Sequence, residues 1–196
     1  MNNKKLIEIV AGHNGSGKTT FAESYLVGLM RTPVFLNPDL IAAGFSRLDF
    51  EKASFQAGRV LIHEVKVRIQ RSESFAFEST LSGKNWLVHL QDAVAAGYSL
   101  KIYFLFLNRL EKNLARIKRR VQEGGHDIPV ESVVRRHPRC FSNFWNLYRP
   151  MAEEWHIFDN SNSKPKLVLS KEAHDAMSKA DQIKFQKQFL QGMRNG

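Results

Sequence analysis

The sequence contains a single cysteine, Cys140, among its 196 residues. One thiol cannot build a disulfide framework or a cysteine-ligated zinc site within one chain, so both are excluded. Long hydrophobic runs are also missing: the longest, from Ile102 to Leu107, is far below the ~18 residues that a membrane-spanning helix needs. The apolar run near the N-terminus is interrupted by Glu8 and is too short for the core of a signal peptide. These absences predict a soluble cytoplasmic protein.

Acidic residues are in the minority. The chain has 29 lysines and arginines against 19 acidic residues, a formal net charge of +10. Such an excess attracts polyanions, and either nucleic acid or a cleft for two phosphorylated small molecules would satisfy it. Hydrophobic residues make up 43% of the chain, which is enough for a core, and no repeat or linker divides the sequence. Length and composition therefore predict one compact domain over residues 1–196.

Apolar runs of strand length alternate with segments of helical periodicity along the chain. This alternation predicts an α/β fold with a mostly parallel sheet. The expected strands are 5–10, 33–37, 75–77, 99–107, 155–158 and 166–169. The expected helices are 18–29, 49–71, 85–96, 109–123, 130–147 and 171–193. In the second helix, the stripe expected to face the core is Phe55, Val60, Leu61, Val65 and Ile69.

A glycine-rich loop separates the first expected strand from the first expected helix. It reads Gly12-His13-Asn14-Gly15-Ser16-Gly17-Lys18-Thr19 and continues with Thr20. A strand, this pattern and then a helix are typical of a phosphate-binding P-loop, whose backbone N–H groups surround a polyphosphate. We expect Lys18 to reach the β- and γ-phosphates of a nucleotide and the Thr19 hydroxyl to bind Mg²⁺. The sequence therefore predicts a nucleotide site at residues 12–20.

Polar residues also follow the next two expected strands, at the carboxyl edge where open parallel sheets bind ligands. We expect them to line the acceptor half of the cleft; they are Asn37, Asp39, Glu78 and Thr80. Two acids beside a P-loop lysine suit phosphoryl transfer, with Asp39 orienting or deprotonating the attacking hydroxyl and Glu78 holding the acceptor or a metal-bound water. The alternatives are a turn or N-cap role for Asp39 and a solvent-facing strand end for Glu78.

Two groups of arginines flank the flexible Gly124-Gly125 pair. Arg116 and Arg120 lie four apart on one face of a helix, and Arg135-Arg136 follow the glycines. We interpret residues 109–147 as a basic helical lid that closes over the transferring phosphoryl group, with Arg120 and Arg136 pointing inward. The alternative, a solvated basic helix, is expected to hold for most of the other basic residues.

These motifs, in this order, resemble the zeta-toxin family of P-loop kinases in its short, single-domain form. The matching pieces are Ala11–Thr20, Leu36-Asn37-Pro38-Asp39, Phe77-Glu78-Ser79-Thr80-Leu81, Arg120-Val121 before Gly124-Gly125, Arg135-Arg136, and Trp155 with Asp159-Asn160-Ser161. The resemblance implies the three-layer sandwich of P-loop NTPases, with five or six strands and helices on both faces. It also implies phosphorylation, dependent on ATP and Mg²⁺, of a UDP-activated amino sugar, best known as UDP-N-acetylglucosamine.

By the same resemblance, Asp39 is the catalytic base, and Glu78 holds the substrate with Thr80 nearby. The first lid arginine is Arg120, and the second is Arg136 or Arg135, which spacing does not decide. A small antitoxin that obstructs the nucleotide site is the implied protein partner.

The residues themselves leave two other functions open. One is a P-loop kinase that acts on a polynucleotide 5′-hydroxyl or on another metabolite. The other is an ATP-binding interaction module without enzymatic activity. Because the basic residues cluster around the expected lid with no aromatic residues interleaved for base stacking, we do not expect nucleic acid as the partner. Because the apolar runs are short, we do not expect a membrane either.

Overall fold

A computed structural model describes residues 4–26, 32, 34–44, 50–125 and 127–191. The strands are β1 (Leu6–Gly12), β2 (Phe35–Leu36), β3 (Phe75–Ser79), β4 (Ser99–Phe106), β5 (Glu154–Asp159) and β6 (Lys166–Ser170). They form one sheet in the order β2-β3-β1-β4-β5-β6. The first five strands run parallel, and β6 pairs antiparallel with β5. The expected α/β fold with a mostly parallel sheet is confirmed.

The helices follow the expected alternation with the strands. They are α1 (Lys18–Phe21), α2 (Pro38–Ala43), α3 (Phe50–Gln70), α4 (Leu87–Ala95), α5 (Leu110–Gln122), α6 (Val130–Asn143), α7 (Lys171–Asp175) and α8 (Lys179–Gln191). A π-helical turn, Ala22–Leu26, continues α1; Phe144–Tyr148 and Arg149–Met151 extend α6. The expected ends of elements at residues 27–29, 33, 49 and 192–193 lie outside the described residues. None of the helices in the described part of the chain is both long and apolar enough to cross a membrane.

Helices cover both faces of the sheet. Side chains alternate between the faces along a strand, so Ile7 and Ile9 of β1 join a large core to which α3, α4, α6 and α8 contribute. Val10 joins a smaller core on the opposite face, together with Phe21 of α1. The three-layer arrangement expected for the fold is therefore present.

The large core is rich in aromatic rings, and α8 supplies one of its central members. The ring centroid of Phe189 lies 5.2 Å from that of Phe141 on α6 and 6.0 Å from that of Phe104 on β4. It also lies 5.4 Å from the Trp145 ring. The segment after β5 is thus part of the main hydrophobic core.

The expected single helix over 171–193 is wrong, because the chain forms two helices there. Ser178 caps the second one: its hydroxyl accepts a hydrogen bond from the Asp181 N–H at 3.2 Å and donates to the Asp181 carboxylate at 2.6 Å. A serine in this position satisfies a backbone donor at a helix start. The cap explains why α8 begins at Lys179 instead of continuing from α7.

The expected core stripe of α3 is partly wrong. Leu61 and Val65 are buried as expected, but Phe55 is 70% exposed and Val60 is also exposed. The buried face runs through Ala57, Leu61 and Val65, which recur every four residues and therefore share one side of the helix. Phe55 and Val60 lie off that line.

Candidate active site

The glycine loop between β1 and α1 leaves no room for a side chain at three positions, Gly12, Gly15 and Gly17. Gly12 has φ of 143° and Gly17 has φ of 85°, values that other residues rarely adopt. A Cβ on Gly12 would lie 2.1 Å from the Leu105 carbonyl oxygen, and one on Gly17 would lie 2.6 Å from Nδ2 of Asn160. The ends of β4 and β5 therefore press directly on the loop backbone.

Lys18 is held inside the loop that it belongs to. Its Nζ donates to the His13 carbonyl oxygen at 3.2 Å and lies 3.6 Å from Oε1 of Glu78. Both side chains of this ion pair are only 7% exposed. The structure thus places Glu78, near the carboxyl end of β3, directly against the P-loop lysine.

The other carboxylate oxygen of Glu78 binds two neutral side chains. The Thr19 hydroxyl donates to Oε2 at 2.8 Å, and the Asn37 amide nitrogen donates to it at 3.3 Å. Asn37 also accepts hydrogen bonds from the N–H groups of Asp39 and Leu40 at 2.8 and 3.3 Å. Asn37, rather than Asp39, is therefore the N-cap of α2, and its buried side chain ties that helix to Glu78.

Asp39 lies at the more open side of the site, in the first turn of α2. Its Oδ2 is 3.4 Å from Nη1 of Arg120 on α5, and the two side chains are 43% and 37% exposed. The Thr80 hydroxyl is half-buried and lies 2.9 Å from the Ser82 hydroxyl. The expected base and the first expected lid arginine are thus adjacent, while Glu78 lies deeper with Lys18.

A bridge from β5 to the P-loop was not predicted from the sequence. Nδ2 of Asn160 donates to the Ser16 carbonyl oxygen at 2.8 Å, and the Asn160 carbonyl accepts from Nη2 of Arg116 at 2.9 Å. Asn160 follows β5 in the polar Asp159-Asn160-Ser161 segment. That position at the carboxyl edge was its only sequence signal, because a bond between residues so far apart in the chain leaves no local pattern.

The ring of His13 is buried beneath the loop. The Leu107 N–H donates to its Nε2 at 3.3 Å, and its Nδ1 contacts the amide of Asn113 on α5. Burial, then the neighbouring His137 and then Lys18 hold the pKa of His13 well below its usual value of 6.5. His13 therefore contributes its backbone to the loop, while its neutral ring packs against the helices behind it.

Of the two arginines at the start of α6, Arg136 is half-buried and Arg135 is exposed. Burial raises the pKa of the Cys140 thiol to about 12, against the opposing effect of the positive charges of Lys18 and Arg136. Arg136 and Cys140 are four residues apart and share a face of α6. Arg136 thus lies on the same face of α6 as Cys140, whose pKa is affected by the charge of Lys18. Cys140 itself is an inert core thiol.

Two buried polar atoms of the loop have no hydrogen-bond partner among the described residues: Oδ1 of Asn14 and Oγ of Ser16. Polar atoms buried in this way are costly unless a partner satisfies them. They lie in the same turn as Lys18, whose ammonium group is the one cation of the loop segment 12–20. Oδ1 of Asn14 is an acceptor and needs a donor, but the Ser16 hydroxyl has a proton to donate. The loop therefore combines a positive charge with an available hydroxyl donor, which suits an anionic ligand.

Comparison with known proteins identifies relatives of the chain. The family model described as zeta toxin matches residues 1–165. An uncharacterized protein of Haemophilus influenzae is 34% identical over 137 residues, which cover 70% of this chain and 94% of that protein.

Two solved structures share the fold at low sequence identity. The structure from the PezAT chromosomal toxin-antitoxin system of Streptococcus pneumoniae matches with a TM-score of 0.60 and 13% identity, over 100% of this chain and 89% of that one. The AvrRxo1-ORF1:AvrRxo1-ORF2 complex with ATP matches with a TM-score of 0.62 and 18% identity, over 85% of this chain and 58% of that one. The chain has the fold of P-loop kinases, and it belongs to the zeta toxin family.

Proposed function

We propose that this chain is an ATP-dependent kinase that transfers the γ-phosphoryl group to a hydroxyl of a UDP-activated amino sugar, UDP-N-acetylglucosamine or a close analogue. The observation that carries the proposal is the separation of two carboxylates. Glu78 is buried against Lys18 and Thr19, whereas Asp39 stands at the open side beside Arg120. One acid thus lies on the nucleotide side of the cleft, and the other can meet an acceptor hydroxyl.

The donor half of the proposed site is the P-loop with its lysine. ATP would place its phosphates on the loop backbone, where Lys18 can exchange its contact with the His13 carbonyl for the β- and γ-phosphates. This half has the stronger support, because the glycine geometry, the buried lysine and the Ser16 hydroxyl, which has no partner among the described residues, all suit a polyphosphate.

The side chains beside Lys18 also fit Mg²⁺. The Thr19 hydroxyl and a Glu78 carboxylate oxygen lie 2.8 Å apart, and Mg²⁺ prefers such hard oxygen ligands. Thr19 would hold the ion directly, with Glu78 as its carboxylate neighbour. The ion would neutralise charge on the transferring phosphoryl group.

Asp39 is the proposed base of the acceptor half. A carboxylate of ordinary basicity suffices, because phosphoryl transfer passes through a loose transition state in which little proton removal is needed early. Arg120, 3.4 Å from Asp39, and Arg136 of α6 would neutralise the phosphoryl oxygens and help to exclude water. In this proposal residues 109–147 act as the lid of a single kinase unit, and Asn37 and Thr80 complete the acceptor side.

Family membership and the ordered acidic residues support the proposal of a nucleotide-sugar acceptor. The Streptococcus pneumoniae relative belongs to a toxin-antitoxin system, and we extend this to propose a small antitoxin that covers the nucleotide site of this chain.

The test is acceptor turnover by the purified protein with Mg-ATP and a panel of UDP-sugars, followed by mass spectrometry. We expect one amino-sugar nucleotide to gain a phosphoryl group, and both Lys18→Ala and Asp39→Asn to abolish the gain. Asp92→Asn, which removes an exposed carboxylate on α4, is the matched control and should retain activity. If no UDP-sugar gains mass while ATP binds, the acceptor is wrong; if Asp39→Asn keeps full activity, the base is wrong.

A polynucleotide 5′-hydroxyl is the second candidate acceptor, and the net charge of +10 favours it. Affinity for nucleic acid would then fall steeply with salt, since each neutralised phosphate releases counterions. An oligonucleotide with a free 5′-hydroxyl therefore belongs in the same panel. Phosphorylation of that oligonucleotide in preference to the UDP-sugars would replace the first candidate.

A further inference from the structure

Two histidine rings are in contact in the interior, one from the P-loop and one from α6. The ring centroids of His13 and His137 are 4.5 Å apart with an interplanar angle of 37°, and both side chains are buried. The ring of Phe141 lies 5.4 Å from His13 and 5.3 Å from His137. Nothing in the proposed phosphoryl transfer uses either imidazole, so the pair needs a separate explanation.

His13 connects several of the elements that surround the loop. Its carbonyl oxygen accepts from Lys18, and its ring accepts from the N–H of Leu107 after β4. The ring also contacts Asn113, whose amide donates to the Asn14 carbonyl at 2.7 Å. His13 thus joins Lys18 to β4 and α5, and its ring contact with His137 connects the loop to α6 as well.

His137 immediately follows Arg136 in α6. Successive residues of a helix are rigidly related by its rise and turn, so any rotation or shift of α6 that moves the His137 ring also moves the Arg136 side chain. The buried residues of α6 are Val133, His137, Cys140 and Phe141. His137 and Phe141 both contact the His13 ring, and His137 is the nearer of the two, at 4.5 Å against 5.4 Å.

We propose that the His13–His137 ring contact is a latch that docks α6 on the P-loop and thereby positions Arg136 over the transferring phosphoryl group. Both histidines are positioning residues rather than catalytic ones, since they act through the backbone and through a neighbouring side chain. The inference rests on the proposed kinase function for its consequence, but the latch itself is a property of the fold.

The proposed latch requires both imidazole rings to be neutral. His13 faces His137 and Lys18, and His137 faces Glu111 from α5. Burial first, then His137 and Lys18, lower the pKa of His13; burial lowers the pKa of His137 against the opposing effect of Glu111. Both rings are therefore neutral near pH 7. A proton on either ring would place a positive charge against the other ring and near Lys18, so acid should open the latch.

Two variants of His137 test separately the contact between the rings and the titration of the imidazole. Nε2 of His137 is buried without a hydrogen-bond partner among the described residues, so His137→Phe keeps a ring against His13 without losing a bond at that atom. It removes one of the two titrating groups and leaves His13, whose pKa lies well below its usual value. His137→Ala removes the ring and leaves a cavity. His156→Phe is the matched control, because His156 is half-buried, stacks on Tyr103 at 5.8 Å, has a pKa lowered by burial, and lies away from the P-loop.

The kinetic measurement is kcat and KM for ATP across about pH 5.5 to 8, the range in which histidines titrate. We expect His137→Ala to lower kcat about tenfold or more with little change in KM, since a catalytic group misplaced by about 1 Å is enough for such a loss. His137→Phe should keep wild-type kcat at neutral pH and retain it to lower pH. His156→Phe should superimpose on the wild type. An unchanged kcat in His137→Ala, or an acid limb in His137→Phe identical to that of the wild type, overturns the proposal.

Hydrogen exchange of the P-loop and α6 amides tests the latch without any acceptor. Exchange at residues 12–18 and 130–143 should speed up together in His137→Ala and in the wild type at acid pH, while His137→Phe should stay protected. If the wild type phosphorylates no acceptor and this coupled pattern still appears, the kinase function fails and the latch stands. Independent exchange of the two segments refutes the latch whatever the enzyme activity.

Discussion

Replacing Glu78 by glutamine removes one charge from the buried ion pair of the site. The Glu78 carboxylate lies 3.6 Å from the Lys18 ammonium group, and both side chains are 7% exposed. Glutamine keeps the size and an acceptor oxygen for Thr19, but it leaves the lysine charge buried without this carboxylate. Removal of one partner of such a pair costs about 3–5 kcal/mol. Because the separation of 3.6 Å is longer than a direct charge-assisted hydrogen bond, we expect the lower end, about 3 kcal/mol.

For a chain of this size, a loss of about 3 kcal/mol corresponds to a fall of about 6–12 °C in melting temperature. Urea denaturation and thermal melts without nucleotide measure the effect. The double variant Glu78→Gln/Lys18→Met should recover much of the stability, because the uncompensated charge is then gone. Glu73→Gln is the control: its pair with Arg68 is 40% and 21% exposed, and it should cost less than about 1 kcal/mol. A similarly small loss in Glu78→Gln, or a double variant as unstable as the summed singles, would refute the reasoning.

Three further outcomes are expected. Gly17→Ala should weaken Mg-ATP binding about tenfold or more in calorimetry, because strain at a positive φ adds to a contact of 2.6 Å with Asn160; unchanged affinity would contradict the loop geometry. Asp39→Asn should abolish turnover but change the free energy of unfolding by less than about 1 kcal/mol, since its pair with Arg120 is part-exposed; a large loss of stability in urea would instead make it a structural residue. The melting temperature should fall as the pH drops below about 6.5. The pKa values of His13 and His137 are lowered in the folded protein, so the folded state binds protons less readily than the unfolded state. Identical melts at pH 8 and pH 5 would exclude this linkage.

The sheet and its helices were largely predictable, because strands such as Ser99–Phe106 are near-continuous apolar runs between helical segments. The predictions from sequence were wrong at residues whose local pattern fits more than one structure. Ser178 reads as an ordinary polar residue inside a helical pattern, yet it caps α8. Phe55 reads as a core residue because it is aromatic, but its position on α3 turns it to the surface. Hydrophobicity alone does not give the phase of a helix when apolar residues occupy more than one face.

The candidate site was likewise predictable only in part from the sequence. The P-loop pattern and the acids at the strand ends were visible, since both are set by short segments of sequence. The contact of Glu78 with Lys18 was not, because it depends on the register of β3 beside β1, in which Val10 pairs with Glu78. Asn160 and His137 reach the loop from distant parts of the chain, and pairing of this kind appears only once the strands and helices are assembled.

The family match ends at residue 165, but the hydrophobic core does not. Leu169 of β6 and Phe189 of α8 are buried in it, and β6 covers the outer edge of β5. A protease cut or premature stop after residue 165 would remove both side chains and expose a strand edge, which is a template for aggregation. A fragment of this protein that folds must therefore extend through α8. Loss of the last 30 or so residues of the chain should lower its abundance in the cell, because the destabilised chain is degraded.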